Sequence, residues 1–366
     1  MPGKPDIDSL SERIRATLSR PLSEIGEAAL VSFLALPGVA AWHPDKLLFR
    51  ELSYVFDVGL PFALLGKNPS AEAHEKRVGN ALKLGQNLPS SDWSEVQVGA
   101  LLSSWGANVS FVKRQSSPTP DLEVQSDNGL TVDVEVTRAE IRPLHAAAKD
   151  RLESFAGALL PGDVNWNLVF FFADASNPDE LNAAFDAAIA LRPGEFKEDS
   201  KRWAVRAVPL EHRDDVVGSE TQQLFGPDWW PSNEPCFIAN STLIGGSSSP
   251  VVALRSLIPV TSYMNPLREK ADSGQRRPGH PYQIALDTGE MLGAHERIAR
   301  ELDSYFSIRD HVSGVMLFDS RFWIGYQRKE WVVSVHINPH ARFSIPADLT
   351  GRADGQPRSV QFVLSS

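Results

Sequence analysis

Ser116-Ser117-Pro118-Thr119-Pro120-Asp121 and, further on, Leu130-Thr131-Val132-Asp133-Val134-Glu135-Val136-Thr137-Arg138 set the expectation for the fold. Asp121 opens one short strand and Glu135 lies in the next. Between them, Ser126-Asp127-Asn128-Gly129 carries Asn-Gly, a strong hairpin signal because its tight turn needs positive φ angles. The second strand alternates strictly: Val132, Val134 and Val136 point one way, and Asp133, Glu135 and Thr137 the other. Carboxylates on adjacent strands offer the hard oxygen donors that a divalent cation prefers.

The flanking sequence extends the pattern. Asp92-Trp93-Ser94-Glu95-Val96-Gln97-Val98 begins a predicted helix that stops at Gly106, and Asn108 to Val112 reads as a strand. Helix with Glu, strand, Pro-Asp, hairpin and acidic strand, in that order, resembles the PD-(D/E)XK, or restriction-endonuclease-like, nuclease superfamily. The resemblance covers the Glu95-to-Thr137 stretch of a chain of 366 residues. It implies an α/β fold with a central mixed sheet flanked by helices, preceded here by a helical N-terminal region. It also implies a metal-dependent nuclease in which Asp121 and Glu135 bind Mg²⁺ or Mn²⁺ and Glu95 assists as ligand or base. The implied partner is nucleic acid, DNA before RNA, in defence or repair, and a homodimer is an arrangement such nucleases commonly use.

One position departs from that pattern. The superfamily's Lys follows its acid by two residues, and here that place is Thr137, which keeps a hydroxyl but brings no charge. Arg138 points to the other face of a regular strand. Lys149, on the next predicted helix, or Lys270 could supply the cation, since the superfamily includes cases of Lys migration to a helix. Without such a replacement, the alternative is a catalytically inactive nuclease-like module that binds nucleic acid or protein. Each residue also has a plain structural reading. Asp121 suits a turn after proline, Asp92-x-x-Glu95 resembles a capping box, and an exposed strand face would leave Asp133 and Glu135 in water. Glu123 shares a strand face with Asp121, as a further ligand or a solvent-facing charge.

Composition narrows the setting. Hydrophobic residues make up 42% of the chain and Trp occurs nine times, ample for a globular core. The single Cys236 cannot form an internal disulfide and suits a reducing cytoplasm. The start lacks a signal-peptide pattern, and no apolar run reaches membrane-spanning length. A net charge of −10 argues against indiscriminate nucleic-acid binding, although a local basic groove can sit on an acidic body. Two basic clusters, Arg138 to Arg151 and Arg268 to Arg277, read as solvated faces because acids interleave them. His336 and His340 are four apart, but on a predicted strand and loop they do not form a helical metal pair.

Along the chain, residues 1–90 read as helical and 91–366 as the α/β core, with an irregular Pro-, Gly- and Ser-rich insertion around 193–260. Two wirings can complete the core sheet. One adds the helix at 143–160 and the strand at 166–173. The other adds the helix at 263–273 and the strand at 281–287 after a long insertion.

Overall fold

The computed structural model describes the chain apart from residues 1–6, 18–20, 38, 40–48, 85–89, 114–118, 140–142, 160–164, 176, 201, 213–215, 217–235, 243–249, 259–260, 274, 290–293, 324–327, 351–354 and 365–366. The Ser116-to-Pro118 stretch, Arg142 and most of the Gly245 loop therefore fall outside the described residues.

Helical periodicity in the N-terminal part is realised as α1 (Ile7–Thr17), α2 (Glu24–Ala35), α3 (Phe49–Leu65), α4 (Glu72–Leu84) and α5 (Ser90–Ser104). Ser23 caps α2, its Oγ accepting from the Gly26 amide at 3.2 Å. Pro61, which reads as a break in sequence, sits inside α3. Burial of Val55, Phe56, Val58 and Leu60 offsets the backbone hydrogen bond that proline removes. Gly59 is required where α3 crosses α2, because a Cβ there would lie 2.0 Å from the Ala29 carbonyl oxygen.

Next come β1 (Asn108–Phe111), β2 (Leu122–Gln125) and β3 (Thr131–Arg138). The β2–β3 turn closes with the Ser126 amide donating to the Leu130 carbonyl at 2.9 Å, and Gly129 takes a φ of 81°. The register pairs Leu122 with Val134 and Glu123 with Asp133.

After β3 the chain builds α6 (Pro143–Ala158), β4 (Asn167–Phe172), α7 (Pro178–Ile189), β5 (Phe196–Asp199), β6 (Trp203–Val208), β7 (Cys236–Thr242) and β8 (Val251–Leu257). Then follow α8 (Thr261–Asp272), β9 (Tyr282–Asp287), α9 (Ala294–Ser307), β10 (Gly314–Trp323), β11 (Arg328–Ile337) and β12 (Arg358–Val363). The chain divides into two compact units. The first comprises Met1–Ala139, Asn265–Gly289 and Glu301–Ser366, and the second Glu140–Met264 with Glu290–Arg300.

The first unit is a mixed α/β fold around a seven-stranded sheet ordered β1-β2-β3-β9-β10-β11-β12. β3 runs parallel to β9, and β9 parallel to β10, while the other neighbours are antiparallel. This selects the second wiring: α8 and β9 complete the sheet beside the acidic strand. The N-terminal helices share the sheet's core, with Phe33 and Phe56 in one buried cluster with Val96, Leu101, Val132, Val134, Val136, Phe318 and Trp331.

The second unit has its own sheet, ordered β5-β6-β4-β8-β7, with β4 parallel to β8. The inserted unit therefore starts at Glu140 rather than near 193, and the stretch read as irregular supplies β5 to β8. Local sequence misses this because β6 and β8 take β4 as their partner, outside the irregular stretch, and β5 and β7 pair with them in turn. Every residue of β4 is buried, as in a strand covered on both faces.

Candidate functional site

Strand alternation places Asp133, Glu135 and Thr137 on the β3 face opposite the valines. Both acids on that face are 0% exposed, so they are not the solvated charges of an open strand. Buried carboxylates need compensation, and here it comes from the α8–β9 segment. The Arg277 guanidinium grips Asp133 through Nε and Nη2 and reaches Glu123 at 2.6 Å, while its backbone amide donates to Asp133 at 3.0 Å. Lys270 Nζ donates to Glu135 Oε1 at 2.6 Å and lies 3.8 Å from Asp121 Oδ2. Two members of a basic cluster that reads as a solvated helix face are thus pinned on strand acids.

Asp121 is also buried, and its Oδ2 accepts from the Val136 amide at 2.9 Å. That bond ties the Pro-Asp carboxylate to the residue after Glu135 and fixes the two acids together. The second Glu135 oxygen, Oε2, is buried with no hydrogen-bond partner. Burial pushes the Glu135 carboxyl up to about 7; the Asp121 and Glu95 charges add to the rise, and Lys270 opposes it. The group therefore sits where one more positive charge would be strongly stabilising.

Glu95, in the early part of α5, is buried and bonds His74 of α4, with Oε2 and Nε2 2.7 Å apart. Since α5 is already helical at Ser90, Asp92 lies within its first turn and Asp92-x-x-Glu95 is not the cap that the spacing suggests. Asp92 instead accepts from Arg77 Nε at 2.8 Å. His74, Arg77, Asp92, Glu95, Lys113 and Asp121 line one cleft of about 430 Å³. Ser94, buried beside Glu95 in the chain, donates to Asp287 at 2.7 Å, and Asp287 lies 3.7 Å from Arg138.

The structure thus brings Asp121, Glu135 and Glu95 together and adds Lys270. Thr137 lies two residues beyond Glu135 on the same face and is half-buried. Lys149 is exposed on α6, in the second unit. Glu123 is held by Arg277, and His336 hydrogen-bonds Ser334 at 3.1 Å. Sequence reasoning missed His74, Arg77 and Asp287. Each is a single polar residue without a local motif, so only tertiary packing reveals it.

The donor set fits a hard divalent cation. Asp121 and Glu135 offer carboxylate oxygens, one of them buried and without a partner. Compared with protein-family models, curated proteins and solved structures, the chain matches none. No helix among the described residues is long and apolar enough to cross a membrane.

Proposed function

We propose that the first unit is a metal-dependent nuclease of the PD-(D/E)XK type, hydrolysing phosphodiester bonds of nucleic acid, with DNA the first substrate to test. The observation that carries this reading is Lys270, whose amine lies 2.6 Å from Glu135 and 3.8 Å from Asp121. It supplies from α8 the charge that Thr137 lacks. Asp121 and Glu135 would hold Mg²⁺ or Mn²⁺. Such an ion, when bound, activates water and offsets charge on the phosphate.

The protein's own groups do the rest. The amide of Val136 holds the Asp121 carboxylate in place. Lys270, with a side chain 24% exposed, can keep its contact with Glu135 and direct another N–H toward a phosphate oxygen. Lys113 and Arg77 at the cleft provide further phosphate contacts on an otherwise acidic chain.

The test is cleavage of labelled single- and double-stranded DNA and RNA with Mg²⁺, Mn²⁺ or EDTA. The wild type is compared with Asp121→Asn, Glu135→Gln and Lys270→Met. Metal-dependent cleavage lost in all three variants is the expected result. A folded wild type that binds nucleic acid and cuts nothing under any condition overturns the enzymatic reading in favour of a binding module.

A further inference from the structure

The cleft contains a second group of donors that the Asp121–Glu135 pair does not use. One ligand atom each from His74, Asp92 and Glu95 lie within 4.8 Å of one another, close enough for a single ion to reach all three. We propose that these residues form a second cation site, selective for a first-row transition-metal ion such as Mn²⁺ or Zn²⁺ over Mg²⁺.

Three features carry the proposal beyond the clustering itself. His74 and Glu95 have side chains only 6% and 9% exposed, and they come from different helices, so neither is a surface charge that happens to lie nearby. The His74 ring packs against Phe111 at 4.5 Å, which holds the imidazole in the cleft wall. His74 Nε2 and Glu95 Oε2 lie 2.7 Å apart, so donor atoms from α4 and α5 already converge on one point.

Ligand chemistry sets the selectivity. One imidazole nitrogen with two carboxylates is a borderline donor set, favouring Mn²⁺, Fe²⁺ or Zn²⁺ over an all-oxygen ion. Arg77 does not block the site. It bonds Asp92 through Oδ2 and leaves the second carboxylate oxygen for the ion, and its own side chain is 45% exposed and can swing outward. Binding would replace the present His74–Glu95 hydrogen bond by two bonds to the same ion. If no ion binds, the pair is simply a buried hydrogen bond that anchors α4 to α5.

The experiment uses the full chain and Mn²⁺ as the probe. Pulsed electron paramagnetic resonance should show nitrogen coupling from a directly bound imidazole in the wild type. Asp121→Asn/Glu135→Gln should keep that coupling, and His74→Gln should lose it, with Mn²⁺ affinity at this site falling by ~100-fold. Co²⁺ absorption bands provide a second readout, retained in the double variant and lost in His74→Gln. A folded wild type that binds Mn²⁺ without nitrogen coupling overturns the proposal, as does His74→Gln with unchanged affinity and spectra. The two proposals can fail separately. Nitrogen-coupled Mn²⁺ without cleavage removes the nuclease reading alone, whereas metal-dependent cleavage without nitrogen coupling removes the second site alone.

Discussion

Glu135→Gln provides the sharpest test of the electrostatics at the site. Glu135 is fully buried, and its carboxyl is raised from 4.5 to about 7, chiefly by burial and then by the Asp121 charge. A rise of that size corresponds to about 3 kcal/mol as an upper bound. The sign follows from proton binding. Between the unfolded and folded values the native state holds the proton more tightly, so this group's contribution to stability falls as pH rises. It is most favourable below about 4.5, declines through the interval and is flat above about 7. Between roughly pH 5.5 and pH 8 the wild type should lose about 2 kcal/mol from this group alone in metal-free buffer. Glutamine cannot ionise, so Glu135→Gln removes that loss, and the other titrations largely cancel in the difference. The assay is denaturant unfolding in EDTA across the pH series, reading the transition of the first unit. The variant should gain on the wild type with rising pH. Adding Mg²⁺ at ~100 times its Kd should then stabilise the wild type by about 2.7 kcal/mol and the variant by much less. Parallel stability curves for the two proteins would refute the buried, raised carboxylate.

Three further outcomes follow from contacts in the first unit. Lys270→Met should lower cleavage by ~10²- to 10³-fold, read in single-turnover assays, because it removes a positively charged donor from the reacting centre. Arg277→Ala should destabilise the first unit by ~2–3 kcal/mol in denaturant unfolding, since Asp133 is left buried without its cation; the one-third-exposed guanidinium keeps the cost below that of a fully buried pair. Arg277→Ala/Asp133→Asn should recover part of that loss, and no recovery would mean the cost lies in packing. Gly59→Ala should lower the thermal midpoint and cost ~2 kcal/mol or more, because the new methyl meets the Ala29 carbonyl where α2 and α3 cross.

The hairpin shows how much of the fold was legible. Asn128-Gly129 and the strict alternation of β3 gave the turn and the valine face directly, because a period of two and a positive-φ turn are local constraints. The choice of partner for β3 was not local. β4 and β9 are both short, apolar strands preceded by amphipathic helices, and either satisfies the same pattern. Register decided it: Asp133 to Arg138 pair with Tyr282 to Asp287, while β4 pairs with β6 and β8 in a separate sheet. α3 was hidden for a different reason. Proline reads as a stop, and only the packing of Phe56 and Leu60 shows that burial outweighs the hydrogen bond lost at Pro61.

The site divides along the same line. Asp121 and Glu135 were visible because the hairpin places them in neighbouring positions of one short stretch. The choice of cation between Lys149 and Lys270 was not, because a domain-sized insertion separates Glu135 from Lys270 in sequence. On the nuclease reading proposed above, the charge that Thr137 does not bring comes from α8 rather than β3. A long lysine side chain can reach Glu135 from a different element, provided that element is fixed. α8 is fixed: the Tyr282 hydroxyl donates to the Lys270 carbonyl and the Tyr305 hydroxyl to that of Leu267, each at 3.0 Å. Burial raises both phenols and keeps them neutral donors across the physiological range. Lys270 beside Glu135 and the two tyrosines behind α8 are therefore one arrangement. Charge at this site is specified by the packing of β9 and α9 against a helix, which no spacing rule along β3 could express.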